Sequence, residues 1–209
     1  MKSFSIYLRW VCIFMVALTL NGCRKEESVE PTIPPLGKSF LSVEVNGKKQ
    51  MYVEGEDNMT LFSSFQFSTE HPNPGHGASF ENADGTINWG FFFFFTPEEY
   101  KQNTGNYPLL FKSGKHDFVK LDKSYQYLKI RGVEIRKTEK TALGTPWKST
   151  AYQQNEQPQE FEVTDAYFYN LTYDRFIWVE GKFDCWIGDF VEAEHIKGTF
   201  RIKVQHDLQ

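Results

Sequence analysis

Residues 177–204 read IWVEGKFDCWIGDFVEAEHIKGTFRIKV. Ile177, Val179, Phe183, Cys185 and Ile187 share one parity, while Glu180, Lys182 and Asp184 occupy the other. Further on, Ile196, Phe200, Ile202 and Val204 alternate with His195, Lys197, Thr199, Arg201 and Lys203. Strand side chains point alternately to opposite faces, so this period of two predicts two half-buried strands; a helix would repeat its apolar residues every three or four positions. The segment also contains an echo, Val179-Glu180-Gly181-Lys182-Phe183 against Ile196-Lys197-Gly198-Thr199-Phe200. A glycine between two inward apolar residues leaves space for a neighbouring aromatic ring to lie flat across the strand.

The same period extends through most of the chain. Leu41, Val43 and Val45 alternate with Ser42, Glu44 and Asn46, and Asn46-Gly47 marks a tight hairpin turn. Met59, Leu61, Phe65 and Phe67 share a parity, as do Ile87, Trp89, Phe91, Phe93 and Phe95 after the Asp84-Gly85 turn. Phe92 and Phe94 make the second face of that strand apolar too, which predicts a central strand covered on both sides. The phase changes between Tyr125 and Lys137, where a bulge near Gly132 is expected. Phe161, Val163, Tyr167, Tyr169, Leu171 and Tyr173 form a further set. Helical periodicity is confined to a short turn around Pro97 to Gln102. The fold class is therefore all-β: a single antiparallel sandwich or barrel-like domain.

The start of the chain reads differently. Lys2 and Arg9 precede an apolar run of 11 residues, Trp10 to Leu20, and Leu20-Asn21-Gly22-Cys23 follows. Crossing a bilayer core as a helix takes about 20 residues, so the run is expected to be the core of an export signal spanning residues 1–22. Leu20, Gly22 and Cys23 resemble a bacterial lipobox, with Asn21 a less usual occupant of its position. That resemblance implies a Cys23 that is acylated after cleavage and anchors the protein to a membrane. Residues 24–37, RKEESVEPTIPPLG, carry charges and three prolines and little to bury, so 23–38 is expected to be a lipidated flexible tether and 39–209 the globular domain. The opening Arg24-Lys25-Glu26-Glu27 resembles the charged signal on surface-exposed Bacteroidetes lipoproteins. Together with the early Val45-Asn46-Gly47, the middle Gly105-Asn106-Tyr107-Pro108 and the late Gly-x-Phe strands, it makes the chain similar to the uncharacterised small all-β outer-membrane lipoproteins of Bacteroidetes. The likeness implies location and fold, an outer-membrane position with the domain at the cell surface, and assigns no chemistry.

Composition narrows the function classes. The formal charge is −4, and removing Lys2 and Arg9 with the leader takes it to about −6, the wrong sign for a nucleic-acid partner. Of three cysteines, Cys12 would leave with the leader and Cys23 would be acylated, so Cys185 alone can form neither an internal disulfide nor a cysteine-based zinc site. No Walker glycine loop and no Gly-x-Ser-x-Gly elbow is present, so no cofactor and no catalytic residue is expected.

Several constellations were weighed against ordinary structural roles. His71 and His76 lie in HPNPGHG, which reads as a solvated loop; a metal there would need further donors. Ser113-Gly114-Lys115-His116-Asp117 collects hydrolase-type residues, but adjacency in sequence is not a triad. The pairs Glu98-Glu99 and Asp184 with Asp189 read as solvated carboxylates, not a glycosidase pair. Asn58 and Asn170 head N-glycosylation triplets without meaning in this context. Trp178 and Trp186 take the parity opposite the core residues of their strand, and Trp147 lies in a Gly/Pro/Thr-rich stretch, so these three form the candidate ligand site, as stacking platforms for a glycan. The expectation is a non-enzymatic, lipid-anchored binding or interaction domain, with a glycan or an envelope protein as partner. The alternatives are an envelope hydrolase or metal-dependent enzyme assembled from histidines and carboxylates, and a structural component of an outer-membrane assembly.

Overall fold

The five-phenylalanine run sits at the centre of the molecule. The computed structural model describes residues 33–68, 71–103, 106–121, 127–129, 131–140, 147–152, 158–168, 176–189 and 192–205, all within one compact unit, Ile33–Gln209. Strand β5 (Ile87–Phe94) is flanked by β4 (His71–Asn82) and β9 (Gly132–Glu139), both antiparallel to it. Trp89, Phe91, Phe93 and Phe95 enter the main core, while Phe92 and Phe94 face outward beneath a second cluster of Val119, Leu121, Ala151 and Tyr152. Alternating rings thus bury both faces of one strand, as its sequence requires.

The remaining strands are β1 (Phe40–Val45), β2 (Lys48–Val53), β3 (Met59–Ser68), β6 (Gly114–Lys115), β7 (Lys120–Leu121), β8 (Tyr127–Lys129), β10 (Trp147–Ser149), β11 (Glu160–Phe168), β12 (Phe176–Gly188) and β13 (Ala193–Gln205). The main sheet runs β2-β1-β13-β12-β10-β9-β5-β4-β3, with β11 also on β12 and β6 on β11. It is antiparallel, nearly closed and barrel-like. At the seam, the Gln205 amide donates to Ser63 Oγ (2.5 Å) and His76 Nδ1 donates to the Gln205 carbonyl (2.7 Å), tying the end of β13 to β3 and β4. The Asn46-Gly47 turn joins β1 to β2 with both residues at positive φ, 49° and 80°, the geometry that matches strand twist.

The Gly-x-Phe echo is reciprocal. Gly181 pairs with Phe200 and Gly198 with Phe183 across β12 and β13. A Cβ on Gly181 would lie 2.6 Å from Phe200 Cζ, and one on Gly198 would lie 2.8 Å from Phe183 Cζ. Phe200 is the hub of the core, with ring centroids 4.8 Å from Phe91, 5.3 Å from Phe161 and 6.5 Å from Phe183.

Three expectations are corrected. His71–Gly77 is no solvated loop: it opens β4, with Gly75 against Phe94 and Gly77 against Phe92. Glycine suits position 75 because the neighbouring strand supplies the bulk; a Cβ there would sit 3.1 Å from the Phe94 ring. The phase change before Lys137 is not one bulged strand but two strands, β8 paired with β7 and β9 in the main sheet. A bulge does occur in β11, between Val163 and Asp165. It turns Ala166 and Phe168 toward the core and Tyr167 outward, where its hydroxyl donates to Glu180 Oε1 at 2.9 Å. Ile33–Gly37, within the expected tether, lie in the same compact unit as the strands. Buried Arg201 donates from Nη1 to the carbonyls of Pro34 (3.1 Å) and Pro35 (3.3 Å) and from Nε to Glu180 (2.7 Å).

Candidate functional site

A cleft of about 380 Å³ opens at one end of the barrel. The chain builds it from three segments. Leaving β5, the sequence Thr96-Pro97-Glu98-Glu99 starts a one-turn-and-a-half helix, α1 (Pro97–Gln102), by a capping box: Glu99 N–H donates to Thr96 Oγ1 (3.2 Å) and Thr96 N–H to Glu99 Oε2 (3.0 Å). A 3₁₀ turn, Tyr107–Phe111, then drives Leu110 and Phe111 into the core. Residues 112–119 follow as a strap between two strands. His116 N–H donates to the Phe161 carbonyl, Val133 N–H to the Asp117 carbonyl and Val119 N–H to the Val133 carbonyl. Gly132 makes that crossing possible: its φ is 141°, and a Cβ there would strike the Asp117 carbonyl.

The cleft has an apolar floor, buried Phe95 and Leu110, with half-exposed Leu109 at its rim, and polar walls. Arg131 binds Glu99 from across the cleft through Nε (2.8 Å to both oxygens) and Nη2 (2.7 Å to Oε1). Those hydrogen bonds hold the Glu99 carboxyl down at about 2 and push the Arg131 guanidinium further up. Lys115 is engaged by Glu160 at 2.5 Å, which raises its ammonium pKa. The ammonium of Lys112 has no partner among the described residues, nor has Nη1 of Arg131. His116 Nε2 lies 2.7 Å from the Lys112 carbonyl. A carbonyl only accepts, so Nε2 carries the proton and Nδ1 is left as an acceptor.

The structure gathers Ser113, His116 and Asp117 around this cleft, as sequence neighbours, yet gives them no nucleophile–base geometry. The imidazole gives Nε2 to a backbone carbonyl, and Ser113 Oγ makes no hydrogen bond to the ring. Glu98 and Glu99 do not act as a pair: Glu99 serves Arg131 and the helix cap, while Glu98 is exposed. Asp184 and Asp189 also part company, the first meeting His195 Nε2 at 2.6 Å and the second accepting the Glu192 amide at 2.7 Å. His76 is buried among Phe95, Tyr100, Tyr107 and Phe111, which is the setting of a core histidine. Among the described residues no three His, Cys, Asp or Glu side chains converge on a metal position.

The tryptophan expectation needs correction. Trp178 keeps its predicted outward parity but is only 4% exposed. Lys203 Nζ lies 5.6 Å above its ring, held there by Glu54 at 2.5 Å, and so the indole face is covered. Trp186 is half-buried, its ring 5.2 Å from that of His195. The side chain of Trp147 lies outside the described residues, as do Cys23 and the whole leader. Two exposed indoles in line, the arrangement a glycan platform on β12 requires, are not available.

What sequence reading missed was the Glu99–Arg131 pair and Lys112. The Thr-x-x-Glu capping box was a legible signal for Glu99; nothing local links it to Arg131, 32 residues away. Comparison of the chain with protein-family models, with curated proteins and with solved structures gave no match.

Proposed function

We propose that the protein is a lipid-anchored lipoprotein of the bacterial outer membrane whose barrel-like domain is a non-enzymatic binding module, with the cleft between α1 and the 112–117 strap as its ligand site. The observation that carries the anchor is Leu20-Asn21-Gly22-Cys23 directly behind an 11-residue apolar run with basic residues before it. Acyl chains gain about 0.8 kcal/mol per buried methylene, and two or more hold a protein stably on a bilayer. Binding is supported by the cleft's chemistry: polar and charged walls around a small apolar floor of Phe95 and Leu110, while Glu99 is held by Arg131 and the helix cap and His116 Nε2 by the Lys112 carbonyl.

Two measurements test this reading. Intact mass spectrometry of the native protein should find an N-terminus at Cys23 carrying acyl groups, and Cys23→Ser should move the protein from the membrane fraction to the soluble one. Protease added to whole cells should degrade the domain if it faces outward. An unmodified Cys23, or a leader still attached, overturns the anchor and the location with it.

A further inference from the structure

We infer that the cleft takes a small organic anion and holds its carboxylate or phosphate group between Lys112 and Arg131. The inference rests on the cleft being the ligand site and names the chemistry it selects. Five charged side chains line it: Lys112, Lys115 and Arg131 against Glu99 and Asp117. The lining itself thus carries three cations to two anions in a chain of net charge −4. The pairings sharpen the point. Glu99 takes up Nε and Nη2 of Arg131 and thereby fixes the guanidinium plane, leaving Nη1 without a hydrogen-bond partner among the described residues, with Asp117 the other carboxylate whose charge acts on the group. Lys115 is drawn to Glu160, outside the cleft lining. Lys112 is left with an ammonium that no described residue pairs with, on a backbone pinned by the His116 bond to its carbonyl.

A guanidinium held flat by one carboxylate, lining the same cleft as an ammonium without a described partner, offers charge-assisted donors to a second oxyanion. The rest of the lining describes the remainder of the ligand. Gln102, Ser113 and His116 Nδ1 offer neutral donors and acceptors, and Phe95 with Leu110 offers an apolar floor. A hydroxylated acid with one carbon-rich face fits both.

The test is isothermal titration of the full chain in detergent at low ionic strength, with glucuronate, inorganic phosphate and glucose as probes. Glucuronate should bind at least tenfold more tightly than glucose, and added salt should weaken it. Phosphate binding more tightly than glucuronate would assign the anionic group as phosphoryl; the reverse order would assign it as carboxylate. Lys112→Ala should lower affinity for the preferred anion about tenfold and Lys112→Glu should abolish it. Lys112 is exposed, so both variants should keep the parent melting temperature. Glucose binding as tightly as glucuronate, or anion binding indifferent to Lys112, overturns the inference while leaving the module a binder. Absence of heat with both anions overturns it too. An unacylated Cys23 would remove the envelope reading without affecting any of these titrations.

Discussion

Gly181→Ala is the sharpest test of how this barrel is packed. The new methyl would sit 2.6 Å from Cζ and 2.8 Å from Cε1 of Phe200 and would also meet the Glu162 carbonyl of β11. Carbon atoms pack best at about 3.5–4.0 Å, so the ring must retreat by close to 1 Å. It has little room to do so: Phe200 is 1% exposed, with the tilted Phe91 ring 4.8 Å and the stacked Phe161 ring 5.3 Å from its own. Overpacking of this kind costs about 1–3 kcal/mol. Against it, replacing a strand glycine lowers the entropy of the unfolded chain, a gain of about 0.4–1 kcal/mol. The net expectation is a loss of about 1–2 kcal/mol. For a domain of this size each kcal/mol moves the melting temperature by about 2–4 °C, so thermal unfolding by circular dichroism should shift down by about 2–8 °C. Phe200→Leu separates the ring clash from backbone effects. In that background Gly181→Ala should cost at least 0.5 kcal/mol less than in the parent, a coupling that a double-mutant cycle reads directly. A stabilised Gly181→Ala, or strict additivity with Phe200→Leu, would refute the reciprocal glycine–phenylalanine account.

Three further outcomes are expected. Glu99 titrates at about 2 in the fold against 4.5 for a free glutamate, so its contribution is present above pH 4.5 and fades as pH falls toward 2; the urea midpoints of parent and Glu99→Gln should differ slightly at pH 7, by under about 1 kcal/mol for so exposed a pair, and converge at pH 2. Burial pushes the Cys185 thiol well above its ordinary range, so a thiol reagent at pH 8 should leave it untouched in the native protein; after denaturation the processed, acylated protein should yield one reactive thiol, and the unprocessed chain three. Arg201→Ala removes the clamp on Pro34 and Pro35 and leaves Glu180 with one partner fewer, so limited proteolysis should cut within Ile33–Lys38 faster than in the parent, with a loss of about 2–3 kcal/mol for the half-buried ion pair.

The sequence alone determined which faces of β1, β5, β12 and β13 are buried, because a period of two leaves an alternating chain only one way to hide its apolar residues. It also determined the Asn46-Gly47 turn and the partnership of small glycine with large phenylalanine, since both are matters of local shape. The tertiary structure decided what depends on a neighbour distant in the chain. Gly75 and Gly77 spell a loop until Phe92 and Phe94 are seen beside them. Trp178 looks exposed by parity until Lys203 and Glu54 cover it. Phe168 turns inward only because β11 bulges to keep its register with β12. The cleft belongs to the same class: Glu99 and Arg131 are ordinary charges in the sequence, and only the pairing of β5 with β9, which sets Phe94 against Gly132, brings them together, because charge pairing at a distance leaves no period to read.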